Sequence, residues 1–206
     1  MENTNSTPYV NTEQGVYTSS KLQAIMDQAF RIPVFLSTSN TLNSLQQQFL
    51  DRLILEIENA LFFPRTIPRS ELYPEAPLTS IRRMILSSYG LVAVDFERLF
   101  VRLLQTNIDP SPTPTEFWEG SPFSQIEPSM GYQYGLPLLL IRENNTDENR
   151  GIWQLGNAPF TIITWNSARQ SVDAFFASTA WKQFFANWVG QVRSGYSLQT
   201  EPQFLY

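Results

Sequence analysis

SQIEPSMGYQYGLPLLLIRE, Ser124 to Glu143, decides how the chain is read, because a glycine turn at Gly135 leads straight into the uncharged run LPLLLI. The run is too short for an ordinary helix and does not alternate, so it reads as a strand buried on both faces, as in a parallel sheet. Pro128 constrains the segment before it: an interior helical proline costs roughly 3 kcal/mol, but the first helical position tolerates one. The sequence therefore predicts a helix that starts at Glu127-Pro128, with the Glu127 carboxylate held ionised by the helix dipole.

Outward from this stretch, short apolar runs alternate with helical patterns. IPVFLS, Ile32 to Ser37, reads as a first strand ending in the polar turn Thr38-Ser39-Asn40. From Leu42 to Leu61, the residues Leu42, Leu45, Phe49, Leu53, Ile57 and Ala60 recur at helical spacing, while Gln46, Asp51, Arg52 and Glu56 lie elsewhere around the cylinder. LFF, Leu61 to Phe63, predicts a short second strand, and Pro64, Pro68, Pro74 and Pro77 an irregular loop after it. Pro77 opens a helix with the buried stripe Leu78, Ile81, Met84 and Ile85, and LVAVDF follows as a buried strand carrying Asp95 at its end. Residues 97 to 122 hold Pro110, Pro112, Pro114, Pro122 and the pair Phe117-Trp118, and read as an irregular Pro-rich excursion covering a site.

Beyond LPLLLI come the polar loop ENNTDENRG, a last strand in PFTIITW, and a final helix with Val172, Phe175, Phe176, Phe184 and Trp188 inward. LQAIMDQAF, Leu22 to Phe30, predicts a short helix. Residues 1 to 20 read as a polar N-terminal arm, and Ser194 to Tyr206 as a C-terminal tail without periodicity. Alternating strands and helices predict one α/β domain over residues 1–206, an open parallel sheet flanked by helices. Such sheets bind ligands beyond the C-terminal ends of their strands. That edge is expected to carry Ser37, Thr38, Ser39 and Asn40, the loop from Pro64, Asp95 and the beginning of the helix at Glu127.

Composition narrows the chemistry. There is no Cys and no His, which excludes thiol nucleophiles, disulfides, Cys/His zinc sites and every Ser-His or Cys-His pair. Carboxylates, hydroxyls and aromatic rings must carry any catalysis. A net charge of -5 without a Lys/Arg cluster argues against a nucleic-acid polymer as partner. No stretch reaches the roughly 18 to 20 apolar residues of a membrane span, and MENTNSTPYVNTEQG lacks the pattern of a secretion signal, so the expected location is the cytoplasm.

The pattern E-x7-G-x-P before an apolar strand, Glu127 through Gly135 to Pro137 and LLLI, resembles the glutamate helix of the nucleoside 2-deoxyribosyltransferases. VFLS at Val34 to Ser37 and LVAVD at Leu91 to Asp95 stand where that family has its first strand and its aspartate-ended strand. VFLS is also similar to the first strand of TIR domains, a flavodoxin-like group in which a glutamate cleaves the nicotinamide glycosidic bond of NAD. The resemblance covers Ile32 to Ile141 and departs at Pro128-Ser129 and in the Pro-rich excursion. It implies a flavodoxin-like sheet and cleavage of the N-glycosidic bond of a small-molecule nucleotide, with NAD as favoured substrate and no separate cofactor or metal. Glu127 would be the nucleophile. Asp95 would orient a ribose hydroxyl or the departing base, Ser37, Thr38 and Ser39 would bind phosphate or ribose, and Trp118 or Tyr132 would stack on the base. A homo-oligomer, or a protein partner in a bacterial antiphage defence system, is implied in the same way. The blander readings are that Glu127 starts a helix, that Ser37 to Asn40 cap one, and that Phe117-Trp118 bury the excursion. The rival functions are a nucleotide sensor that does not cleave, and a structural assembly subunit.

Overall fold

The structure, a computed structural model, describes residues 10–12, 15–17, 31–67, 74–108, 115–156 and 162–200. The chain divides into two compact units, Met1–Arg31 and Ile32–Tyr206. In the first, β1 (Val10–Thr12) and β2 (Gly15–Tyr17) pair antiparallel. The helix expected over Leu22 to Phe30 and the remainder of the polar arm lie outside the described residues.

The second unit begins with β3 (Ile32–Ser37), then α1 (Ser44–Asn59), β4 (Phe62–Arg65), α2 (Pro77–Leu86) and β5 (Leu91–Asp95). The excursion contributes an antiparallel pair, β6 (Leu99–Arg102) and β7 (Glu116–Glu119). There follow α3 (Phe123–Gln133), β8 (Leu138–Glu143), a 3-10 turn at Gly151–Trp153, β9 (Ile162–Trp165), α4 (Val172–Ala177) and α5 (Thr179–Thr200). Five strands form one parallel sheet in the order β4-β3-β5-β8-β9. This is the 2-1-3-4-5 order of the flavodoxin-like open sheets, in which the crevice where strand order reverses lies between the first and third strands. Here those strands are β3 and β5.

Side chains alternate across each strand, so the sheet has two cores. On one face Val34, Leu36, Val92, Val94, Leu139, Ile141 and Trp165 pack against Phe49, Leu53, Phe175, Phe176, Trp181 and Trp188 of α1, α4 and α5. Phe49 stacks on Trp165 with ring centroids 4.3 Å apart. On the other face Phe35, Leu91, Ala93 and Leu140 meet Ile81, Met84 and Ile85 of α2 and Trp153 of the 3-10 turn. The same alternation puts Ser37 and Asp95 on this second face, beneath α3.

Several expectations change. The strand at Phe62 runs through Pro64 instead of ending before it, because among the described residues β4 is an edge strand with one neighbour, and a proline there forfeits no ladder bond on its other side. Leu78 is 55% exposed rather than part of the α2 stripe. Gln46 points inward: its carbonyl accepts from Asn43 N in a capping box that starts α1, and its Nε2 donates to the buried Glu143 carboxylate at 2.8 Å. The final helix is two helices, broken at Ser178, whose hydroxyl accepts from Trp181 N at 3.2 Å. Residues 194 to 200 of the supposed tail continue α5, and residues 201–206 lie outside the described residues. Among the described residues no helix is long and apolar enough to cross a membrane.

Candidate functional site

Helix α3 starts four residues before the expected point. Ser121 and Pro122 supply its beginning: Pro122 already has helical angles, and Phe123 N donates to Ser121 Oγ at 3.3 Å. Glu127 is therefore in the second turn, beyond the first turn where the dipole acts, and Pro128 is inside the helix. An interior proline removes the N–H that would bond the carbonyl four residues back, here that of Ser124. Trp153 Nε1 donates to that carbonyl instead, at 3.0 Å, and Ser129 Oγ donates to the next one, Gln125 O, at 2.6 Å. Both carbonyls beside the proline are satisfied, and the helix runs on to Gln133. Gly135, at φ +73, then turns the chain toward β8, as the sequence suggested.

Ser124 and Glu127 are three apart and share one face of α3. Ser124 Oγ donates to Asp95 Oδ1 at 2.6 Å, at the end of β5. Glu127 faces the end of β3. Glu127 is 8% exposed and makes no salt bridge among the described residues. Burial pushes its pKa up to about 7, opposed only by the Ser37 hydroxyl. Ser37 is itself 2% exposed, and its Oγ has no partner among the described residues that meets hydrogen-bond geometry, so its help to the carboxylate is weak. The ionisation expected from the helix dipole is thus reversed, because desolvation acts on a group the dipole does not reach.

Asp95, 3% exposed, is pushed up to about 6 by burial, against the lowering effects of Ser124, Thr146 and Arg142. Backbone closes over it at Gly120, where a Cβ would stand 1.8 Å from Asp95 Oδ1. Gly120→Ala is therefore expected to destabilise the fold by about 1 to 3 kcal/mol, as overpacking does. Thermal unfolding reads this, and the same change in an Asp95→Ala background should cost little; an equal cost there would show that the clash is not with Asp95.

A cavity of about 40 Å³ adjoins Asp95, lined by Trp118, Ser124, Gln125, Asp147 and Arg150 among others. Arg150 closes its rim, paired with Asp147 at 2.7 Å and Glu119 at 3.3 Å and lying over the Phe117 ring at 4.6 Å. A larger cavity of about 860 Å³ lies where α3 ends and β8 begins, against α5. Glu127 lines neither.

The structure thus brings Ser37 to Glu127, and Asp95 with Trp118 to the small cavity. Thr38 Oγ1, beside Ser37, is buried without a hydrogen-bond partner among the described residues. Ser39 is committed to its own loop, donating to Thr41 O at 3.2 Å and accepting from Thr41 N at 3.3 Å, while Asn43 is the residue that caps α1. Tyr132 is not brought to the group: it is 50% exposed and lines the larger cavity at the far end of α3. Sequence reasoning missed Ser124, Gly120, Arg150 and Trp153. Ser124 alone left a signal, its i,i+3 spacing from Glu127 on a helix that begins earlier. No protein-family model matches the chain, and no curated protein matches it.

Proposed function

We propose that the chain cleaves the N-glycosidic bond of a nucleotide, with NAD as the favoured substrate and Glu127 as the central residue. One observation carries the reading: a buried carboxyl that has no cationic partner among the described residues, beside a buried hydroxyl that lacks a hydrogen-bond partner among them, beneath the crevice between β3 and β5 where open sheets of this order take their ligands. When a glycosidic bond breaks, its electron pair leaves with the base and the anomeric carbon becomes cationic. A carboxylate there stabilises that charge or captures it covalently, after which water completes the hydrolysis. A group titrating near neutrality is basic enough to serve as nucleophile and is also available in its acid form. Asp95, ending the neighbouring strand, is the second carboxyl, suited to orienting a sugar hydroxyl. The enzyme would act on a cytoplasmic small molecule, and a role in antiphage defence follows the resemblance noted above.

Incubation with NAD and, separately, with 2′-deoxynucleosides, followed by chromatography, tests this. Free nicotinamide or free base is the expected product; intact substrate in both, at enzyme concentrations comparable to substrate, overturns the reading.

A nucleotide sensor is the second reading, and the closure of the site favours it. Ligand pockets have roughly 300 to 1,000 Å³. The cavity at Asp95 has about 40 Å³, so an entering nucleotide must displace the β6–β7 hairpin, which supplies Trp118 and Glu119 to its lining. Binding would then be a conformational signal in itself. Saturable nucleotide binding without product distinguishes this reading from catalysis.

A further inference from the structure

We propose that Trp153 is a positioning residue for Glu127, acting through the Ser124 carbonyl that Pro128 leaves without its helical donor. Pro128 follows Glu127 directly, so the local path of α3 at this proline sets where the Glu127 side chain points. Its ring presses against the carbonyl four residues back and pushes it out of line. In α3 that carbonyl is met by the Trp153 indole N–H at 3.0 Å, from a fully buried side chain. The 3-10 turn carrying Trp153 is itself pinned under α3: Gly151 takes φ +54, and a Cβ on it would stand 2.2 Å from Gln125 Oε1. Ser124 is the common node. Its carbonyl takes the Trp153 N–H, its hydroxyl donates to Asp95, and Glu127 lies one turn further along the same face.

The inference rests on the reading of Glu127 as the working carboxyl, but its decisive measurement does not need turnover. The Glu127 carboxyl is followed by carbon NMR through a pH titration in the wild type, Trp153→Phe, Pro128→Ala and the double variant. Burial is the first cause of the raised Glu127 value, opposed by the Ser37 hydroxyl, and no charged side chain among the described residues contributes to it. The titration therefore reports how deeply the side chain is held.

Trp153→Phe keeps an aromatic ring in the slot and removes the donor, so α3 relaxes at Pro128 and the midpoint falls toward the ordinary glutamate range. Pro128→Ala restores the backbone N–H to Ser124 O, and in that background the loss of the indole should leave the midpoint where Pro128→Ala alone puts it. If Trp153→Phe proves too unstable to titrate, the double variant is expected to fold and to titrate like Pro128→Ala. A midpoint unchanged in Trp153→Phe, or displaced equally in both backgrounds, overturns the proposal. Where the wild type releases base, the pH profile of release should move in parallel. Absence of release refutes the catalytic reading and leaves the titration cycle to decide the positioning role.

Discussion

Glu127→Gln is expected to cut base release by about 10²- to 10⁴-fold while giving a protein more stable than the wild type above pH 7. The two effects come from the same burial. A glutamine fills the same volume but neither carries negative charge nor forms a glycosyl ester, so it removes the group that faces the cationic sugar. The wild-type carboxyl, with no cationic partner among the described residues to offset its desolvation, must ionise in an apolar setting as the pH passes about 7. The neutral amide avoids that cost. Steady-state assays on NAD or a deoxynucleoside, together with urea unfolding at pH 8, read both quantities. Turnover at the wild-type rate would remove Glu127 from the mechanism whatever the stability does.

The second large effect is the pH dependence of stability. Two of the buried acids have folded values above their unfolded ones, Asp95 at about 6 against 3.8 and Glu127 at about 7 against 4.5. Between those limits the folded protein holds more protons than the unfolded chain, so stability must fall as pH rises through the window. Their contribution is fully present only below about pH 3 and lost by about pH 8, and each group accounts for about 3 kcal/mol at 1.36 kcal/mol per unit. Urea midpoints are therefore expected to decline from pH 5 to pH 8. In Asp95→Asn with Glu127→Gln most of the decline should disappear, the smaller slope that remains coming from Glu97, which partial burial and the nearby Glu143 also push upward. A wild-type midpoint that climbs between pH 5 and pH 8 would mean that neither acid is buried in solution as described.

The sheet was legible because burial on both faces leaves an unmistakable composition: IPVFLS, LVAVD and LPLLLI stand out as uninterrupted apolar runs, and the crossover helices between them carry one-sided stripes. The start of α3 was misread because local propensity places proline at a first turn. The compensation that admits Pro128 inside the helix comes from Trp153, 25 positions later by sequence number. No local pattern announces such a partner. The charge state of Glu127 failed for the same reason, since desolvation is a property of the packed tertiary structure and the dipole is a property of one helix. Tyr132 was selected for being aromatic near a glutamate, but five residues of helix carry it about 7.5 Å along the axis, to the opposite end of the sheet. Gln46 looked like surface because a polar residue usually is; the buried Glu143 carboxylate it serves lies far away in sequence.

Pro64 has a consequence for how copies of this protein meet. The Leu61 carbonyl accepts from Ile32 N, so by alternation Pro64 presents its backbone to the side of β4 away from β3. A pyrrolidine ring there offers an incoming extended chain no donor, which blunts that margin as a template for fibre growth or intermolecular strand addition. Self-association, should the molecule use it, must therefore proceed through side-chain surfaces or another margin, not by continuing this sheet past Pro64.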